Sequence, residues 1–353
     1  MDRSIASEAT GRSPAIRPTI HTVAERAGVS KSLVSLVLRG SPKVSPDRRA
    51  AVQRAITELG YRPNIAARDL RQRRSRTVGV LLNDMRHPWF LDLLDGLTDG
   101  LAEQGRQLLL NSGRLDRGRD DTVPRTLADL GVVGMVVVGT QASSPTLVEV
   151  AQAVPTVAVG WRDLDLPRVD TVANDDLLGG TLATRHLIEL GHRRIAHIAG
   201  HVPGSADAVG RLRRRGYEDT MREHGLQRHI HVQTGDHTDD GGYRAAVRLL
   251  RSPNPPTAIF AVDDLTCLGA QAAAAELGVH VPEQLSLVGY DNSQLARLRS
   301  IWLTSVDSVG AQVGRLAASM LAARIDDPVR PAQLHLLAPA LQVRGSSGPA
   351  PGG

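Results

Sequence analysis

The chain has 353 residues, 41% hydrophobic and 22% charged, with a formal net charge of +5 and a single cysteine, Cys267. One cysteine excludes an intramolecular disulfide framework and suits a reducing cytoplasm, where we expect the protein to act. No apolar run reaches the roughly 20 residues of a membrane span, so no membrane partner is expected. The positive charge is not evenly spread: residues 1–76 carry 16 Arg or Lys against 6 Asp or Glu, which leaves a net −5 for residues 77–353. A basic head on an acidic body points to a polyanion partner, because phosphates release counterions when arginine and lysine neutralise them.

In chain order, residues 1–18 (MDRSIASEATGRSPAIRP) are expected to form a flexible, polar leader, without the apolar segment of a secretory signal. Val23, Ala24 and Ala27 then give a short helix one apolar face, and Gly28 ends it. Ser30 is placed to cap a second helix whose buried side holds Leu33, Val34, Val37 and Leu38. Ser45-Pro46-Asp47 opens a third helix with a capping serine, a proline at the first helical position and an acid in the first turn. Its apolar stripe is Val52, Ala55, Ile56 and Leu59, and Gly60 closes it. A helix, a glycine turn and a second helix with polar residues at its exposed start predict an all-α helix-turn-helix head over residues 19–62.

Residues 63–76 read as a hinge and linker. Pro63 disfavours helix at Arg62, and Asn64 can cap a short helix of Ile65 to Leu70, too short to be helical alone in water. Arg71, Arg73, Arg74 and Arg76 follow, a run suited to phosphates. From Thr77 the pattern changes. Apolar runs at 77–82, 107–111, 134–139, 156–160, 194–200, 231–235, 257–262 and 285–290 alternate with helical patterns at 89–104, 176–190, 208–224, 239–251, 264–277 and 309–325. This alternation predicts parallel sheets covered by helices, and its length favours two doubly wound subdomains over 77–345. The ending GSSGPAPGG, residues 346–353 in the main, is expected to be a disordered tail without heptads.

No phosphate-cradling loop, dinucleotide fingerprint, nucleophile elbow or zinc helix is found in the body. His186, His192, His197 and His201 cluster in sequence but lack the i, i+4 spacing of a metal helix. The body therefore reads as a binder rather than an enzyme, with no cofactor and no metal expected. A solute-binding protein of an uptake system would carry an export signal and no basic head, the reverse of what is found here.

In several segments, in order, the chain resembles the lactose-repressor/galactose-repressor (LacI/GalR) family of bacterial transcription regulators. The segments are TIHTVAERAGVSKSLVSLVL, VSPDRRAAVQRAITELGYRPN, NIAARDL, VANDDLLGGTLATRHLIELGHRRIAHIAG, RRRGYEDTM, TAIFAVDDLTCLGAQAAAAELGVHVPEQLSLVGYDN and LTSVDSVGAQVGRLAASML. The resemblance implies an α/β body of the periplasmic-binding-protein type, with a ligand cleft between subdomains that the chain crosses near Gly160–Thr171, Thr304–Asp307 and Asp326–Gln333. It also implies a homodimer that reads palindromic double-stranded DNA.

On this resemblance, Thr19, Ser30, Lys31, Ser32, Ser35 and Arg39 contact DNA from the helix-turn-helix. Asn64, Ala67, Arg68 and Leu70 belong to a hinge helix in the minor groove, with Leu70 as the wedge and the small Ala67 letting two hinges approach. Leu33, Leu36 and Arg39 stand where relatives commonly have threonine, arginine and asparagine, so the half-site read by this chain should differ. Leu36 can touch a thymine methyl but cannot hydrogen-bond a base edge.

The effector residues implied are Asp84, His87, Trp89 and Phe90 after the first body strand, Trp161 and Asn174 at further strand ends, Arg213, Asp264 and Asp291. Trp89 or Phe90 would stack on a ring, and Arg213 with Asp291 would clamp hydroxyls through charge-assisted hydrogen bonds. A carbohydrate or related polyol is the expected small-molecule effector, with nucleobase-like compounds as the second class. The effector would shift the population of cleft states and, through the hinges, operator affinity; a coupling of about 1–3 kcal/mol corresponds to about 5- to 150-fold.

Overall fold

A computed structural model describes residues 18–61, 75–112, 122–139, 145–161, 166–200 and 207–352. The expected leader (Pro18 apart), the hinge helix with Asn64, Ala67, Arg68 and Leu70, and Arg71, Arg73 and Arg74 lie outside the described residues. The chain divides into two units, residues 1–75 and 76–353.

The first unit holds α1 (Ile20–Ala27), α2 (Lys31–Leu38) and α3 (Pro46–Leu59). Thr19 caps α1 in a reciprocal box: the Thr22 amide donates to Thr19 Oγ1 at 3.4 Å and the Thr19 amide to Thr22 Oγ1 at 2.9 Å. Gly28 ends α1 and Gly60 ends α3 at φ of 63° and 61°, the left-handed region where a Cβ would be strained. Ser30 Oγ accepts from the Leu33 amide at 3.2 Å, as its position predicts. Ser45 does not act as expected: it has the extended N-cap backbone, but its side chain makes no cap bond. Pro46, which has no N–H to satisfy, starts α3 regardless. Val23, Ala24, Val34, Val37, Val44, Val52 and Ala55 form the core, with Leu33, Leu36 and Leu38 half-buried against it. Leu36 thus contributes to the head's packing.

The second unit contains two six-stranded sheets among the described residues. The N-lobe sheet has the order β11-β5-β4-β3-β1-β2, all parallel, built from β1 (Thr77–Leu82), β2 (Gln107–Ser112), β3 (Gly134–Val138), β4 (Thr156–Val159), β5 (Val169–Asn174) and β11 (Leu334–Leu337). The C-lobe sheet has the order β12-β10-β9-β8-β6-β7, from β6 (Ile195–Ala199), β7 (His231–Thr234), β8 (Ala258–Ala261), β9 (Ser286–Tyr290), β10 (Thr304–Asp307) and β12 (Ala340–Gln342), of which only β12 is antiparallel to its neighbour. The continuous apolar runs fill the central strands, which are buried on both faces.

Helices α4 (Trp89–Glu103), α5 (Val123–Asp129), α6 (Pro145–Ala153) and α11 (Gly310–Asp326) cover the N-lobe sheet. Helices α7 (Asp176–Glu189), α8 (Ala208–Glu223), α9 (Asp239–Leu250) and α10 (Asp264–Glu276) cover the C-lobe sheet. α4 and α11 cross with their backbones in contact. A Cβ on Gly96 would lie 2.0 Å from the Ala311 carbonyl oxygen, and one on Gly314 would lie 2.2 Å from that of Leu93.

The described chain passes between the lobes at Asn174–Asp176, at Ser308–Val309 and at Ala338–Pro339. Each passage lies downstream of its expected position. Residues 169–174 form the strand β5 inside the N-lobe, and β11 completes that same sheet before the last passage. β5 was not anticipated because Asp170, Thr171 and Asn174 interrupt its apolar pattern although all three are buried. Arg324 accounts for one of them: its Nη2 and Nε donate to Asp170 at 2.6 and 3.1 Å, its Nη2 also to the Pro331 carbonyl at 3.1 Å, and the Gln333 amide donates to Asp170 at 2.8 Å.

The tail is also a correction. Rather than a disordered end, Ser346 is buried, accepting from the Thr304 amide at 2.8 Å while its hydroxyl donates to the Leu287 carbonyl at 2.7 Å. The Gly348 amide donates to Ser286 Oγ at 3.0 Å and the Ala350 amide to the Leu190 carbonyl at 2.9 Å. Buried His192 closes this strap, 3.0 Å from both Ser286 Oγ and the Gly348 carbonyl. Glycine and serine read as flexible, yet here they leave room for backbone pairing along the sheet.

Candidate functional site

Open parallel sheets present ligand-binding groups at the carboxyl ends of their strands. Here the ends of β1, β4 and β5 carry Asp84 and His87, Trp161, and Asn174; those of β8 and β9 carry Asp263, Asp264 and Asp291. The two lobes meet at His87, whose Nε2 is 3.6 Å from Asp263 Oδ2 and 3.9 Å from Asp291 Oδ2.

Arg213 anchors the C-lobe half of this seam. It lies on α8 within an arginine run, and the sequence alone did not fix which arginine points inward. The structure does: Arg213 is 7% exposed, whereas Arg211, Arg214 and Arg215 face an open cavity of about 430 Å³ between α8 and Gly160. Arg213 Nε donates to Asp176 Oδ1 at 2.9 Å, Nη1 to the Val262 carbonyl at 2.6 Å and Nη2 to Asp291 Oδ1 at 3.5 Å. Its guanidinium carbon sits 3.5 Å from the centre of the Tyr290 ring. Burial opposes the charge, but Asp176 and Asp291 outweigh it and keep the guanidinium protonated. Asp291 has φ 101°, and burial, against the pull of Arg213, pushes its pKa up to about 7.

Asp264 and its neighbour exchange roles relative to expectation. Asp264 is turned into the C-lobe, where Oδ1 accepts from Ser305 Oγ at 2.6 Å and Oδ2 from the Ser293 amide at 2.7 Å. It ties β10 to the turn after β9, and burial raises its pKa to about 6. Asp263 faces the seam instead. As N-cap of α10 it accepts from the Thr266 amide at 2.8 Å, and its other oxygen lies 2.6 Å from His237 Nδ1. His237 Nε2 is in turn 3.4 Å from Asp207. Burial penalises the charged imidazole, yet the two carboxylates dominate and hold its pKa up at about 10, with Asp263 well below the usual carboxylate range. The sequence reading missed Asp176, Asp207, His237, Asp263 and Tyr290. Only the doubled acid of Val262-Asp263-Asp264 signalled any of them.

The aromatic candidates are largely used by the fold. Phe90 is buried in the N-lobe core, so it is not free to stack on a ligand. Trp89 packs beside it with ring centroids 5.3 Å apart, and its Nε1 donates to Ser308 Oγ at 2.7 Å, holding the second passage between lobes. Trp161 is half-buried against Ala151, Ala158 and Val169. Asp84 is turned to Arg86, which donates to it at 2.6 and 2.9 Å and lowers its pKa. Asn174 Oδ1, by contrast, is buried at the end of β5 with no hydrogen-bond partner among the described residues.

On the head, Lys31 and Ser32 at the start of α2 are exposed, and Ser35 is half-buried one turn on. Arg39 is exposed and its Nε donates to the Ser35 carbonyl at 3.2 Å, and Thr19 and Ser30 are helix caps. Among the described residues, no group of three or more His, Cys, Asp or Glu is placed to hold a metal ion, and no helix is long and apolar enough to cross a membrane. His197 is a core residue stacked on Phe260 at 4.7 Å, with burial pulling its pKa down to about 4.

Residues 19–64 match the family described as bacterial regulatory proteins, lacI family, and residues 184–347 match the periplasmic binding protein-like domain. The ribose operon repressor of Escherichia coli (strain K12) is 33% identical over 332 residues, covering 93% of this chain and 99% of its own length. The HTH-type transcriptional repressor PurR of Pectobacterium atrosepticum is 32% identical, covering 93% and 96%. Among solved structures, the transcriptional regulator CelR in complex with cellobiose is 34% identical, with a TM-score of 0.69 over 94% of this chain and 100% of that one. With similarity of this extent spanning both the head and the two-lobed body, the chain belongs to the lacI family of bacterial regulatory proteins.

Proposed function

We propose that this protein is a ligand-responsive repressor of transcription, acting in the cytoplasm and not as an enzyme. In this reading it binds a palindromic operator as a homodimer and changes its operator affinity when a sugar or related polyol enters the cleft between its lobes. One observation carries the reading most directly: a chain with a basic helix-turn-helix also holds a buried Arg213–Asp291 pair where its two lobes meet. An arginine beside a carboxylate offers both donors and acceptors to hydroxyl groups, which suits a polyol. The relatives include a ribose operon repressor and a regulator in complex with cellobiose, which supports the same ligand class.

The DNA contacts we propose are Lys31, Ser32, Ser35 and Arg39 toward base edges and phosphates, with Thr19 and Ser30 offering helix N-termini. The hinge residues Asn64, Ala67, Arg68 and Leu70 would act in the minor groove. For the ligand we propose Arg213, Asp291, His87 and Asn174 as polar contacts and Trp161 as the apolar wall, with Asp263 replacing Asp264. The test is selection of binding sites from a random DNA pool with purified protein, repeated in the presence of individual sugars. A recovered palindrome whose binding one sugar changes supports the proposal. Enrichment of no sequence, even at low salt, overturns it.

A further inference from the structure

The contact between lobes at His87 deepens this reading and rests on it. His87 comes from the loop after β1 in the N-lobe, whereas the carboxylates within 4 Å of it, Asp263 and Asp291, end β8 and β9 in the C-lobe. Asp263 is fixed from two sides: it caps α10 and is held at 2.6 Å by His237, whose other ring nitrogen reaches Asp207. His237 has little freedom, since a Cβ on Gly200 would lie 2.0 Å from its Nε2. A second tie between the lobes lies nearby, where Arg297 donates to Asp92 of α4.

We propose that His87 is a proton-operated latch of the cleft: its imidazolium, seated between Asp263 and Asp291, holds the lobes together, and losing its proton lets them part. The positioning residue is His237, which keeps Asp263 aimed at the seam.

The groups facing His87 give the direction of the effect. From the C-lobe these are Asp263, Asp291 and the like-charged His237; on its own loop Asp84 and Arg86 are paired with each other, and Phe90 presents a ring at 6.0 Å. Burial works against the charge on His87, but the two carboxylates prevail and raise its pKa above 6.5. Parting the lobes removes those carboxylates and returns the imidazole toward its ordinary value. The latched form therefore binds the proton more tightly. Latching is complete below about pH 6.5 and is lost as pH rises through the raised value. Asp263 remains ionised throughout and is the counter-ion at the acid end of the titration. Asp291, its pKa pushed up to about 7 by burial, takes up a proton there and so favours the buried, latched form in the same direction. Each unit of elevation in the His87 pKa makes about a tenfold difference in the open-to-latched ratio between the two ends of the titration.

The test uses the full chain with no sugar added. Dyes are placed on cysteines substituted at the exposed positions Gln152 and Glu223, one in each lobe, with Cys267 retained because it is buried. Single-molecule energy transfer then reports the lobe separation. The latch predicts that the wild-type side chain gives a single close population at pH 6 and a growing open one toward pH 9. His87→Gln should populate the open form at pH 6, and His87→Arg, charged at every pH, should stay close at pH 9. A His87→Gln protein with the same separation as wild type at pH 6 overturns the proposal, as does His87→Arg opening like wild type at pH 9. Sugar-sensitive operator binding that persists alongside either result leaves the regulatory reading standing while the latch falls.

Discussion

Replacing Arg213 with methionine removes three hydrogen bonds, at 2.9 Å to Asp176, 2.6 Å to the Val262 carbonyl and 3.5 Å to Asp291. Methionine retains enough length to cover the Tyr290 ring, so the principal loss is electrostatic. Two carboxylates, Asp176 and Asp291, remain buried with no cation between them. Removing one partner from a buried ionic group costs about 3–5 kcal/mol. The cost should depend on pH. Burial already raises both carboxyl pKa values against the opposition of Arg213, and without the guanidinium they rise further. An acid whose folded-state pKa lies above its unfolded value costs stability as pH rises through the folded value. The deficit of Arg213→Met relative to wild type should thus be larger at pH 8.5 than at pH 5.5. Urea unfolding followed by circular dichroism at both values measures it. A deficit below about 1 kcal/mol at pH 8.5, or the same deficit at both, would refute the assignment of Arg213 as the counterion of this pair.

Three other perturbations have definite expected outcomes. Arg324→Met should cost about 3–5 kcal/mol by stranding Asp170, and adding Asp170→Leu should restore most of it; failure of the double variant to recover would contradict the ion-pair account. Gly96→Ala should cost at least 1–3 kcal/mol, roughly, because its Cβ meets the Ala311 backbone and no rotamer relieves it; thermal denaturation equal to wild type would show that α4 and α11 do not cross this closely. Lys31→Ala should weaken operator binding and flatten its dependence on salt by about one unit of slope, measured by fluorescence anisotropy, whereas an unchanged slope would remove Lys31 from the phosphate contacts.

Much of the head was legible in the sequence because its signals are local. Gly28 and Gly60 occupy left-handed positions and Ser30 bonds the amide three residues on, interactions fixed by neighbours in the chain. The eight apolar runs were legible for a similar reason: all of them lie within one residue of the strands observed, and in six, all but the exposed edge strands β2 and β7, burial on both faces leaves no polar alternation to confuse. What escaped was set by distant partners. β5 looks too polar until Arg324, 154 residues away, is seen to satisfy Asp170. Asp263 and Asp264 are adjacent and chemically identical, and only the start of α10 decides that one faces His87 and the other Ser305. His237 stands alone in its segment, its two carboxylates arriving from residues 207 and 263. The glycine- and serine-rich tail is held by Leu190, Ser286, Leu287 and Thr304, none of them a neighbour in sequence.

The central claim is that occupancy of the cleft between the lobes controls how tightly the head holds DNA. It is tested most directly by the affinity of the wild-type protein and of an Asp291→Asn variant for the selected operator, each measured with and without the sugar that alters wild-type binding. The account predicts about a 5- to 150-fold change in the wild type and little or none in the variant, with both proteins folded and both binding operator when no sugar is present. An equal response in the two proteins would show that the ligand acts elsewhere than at the Arg213–Asp291 seam.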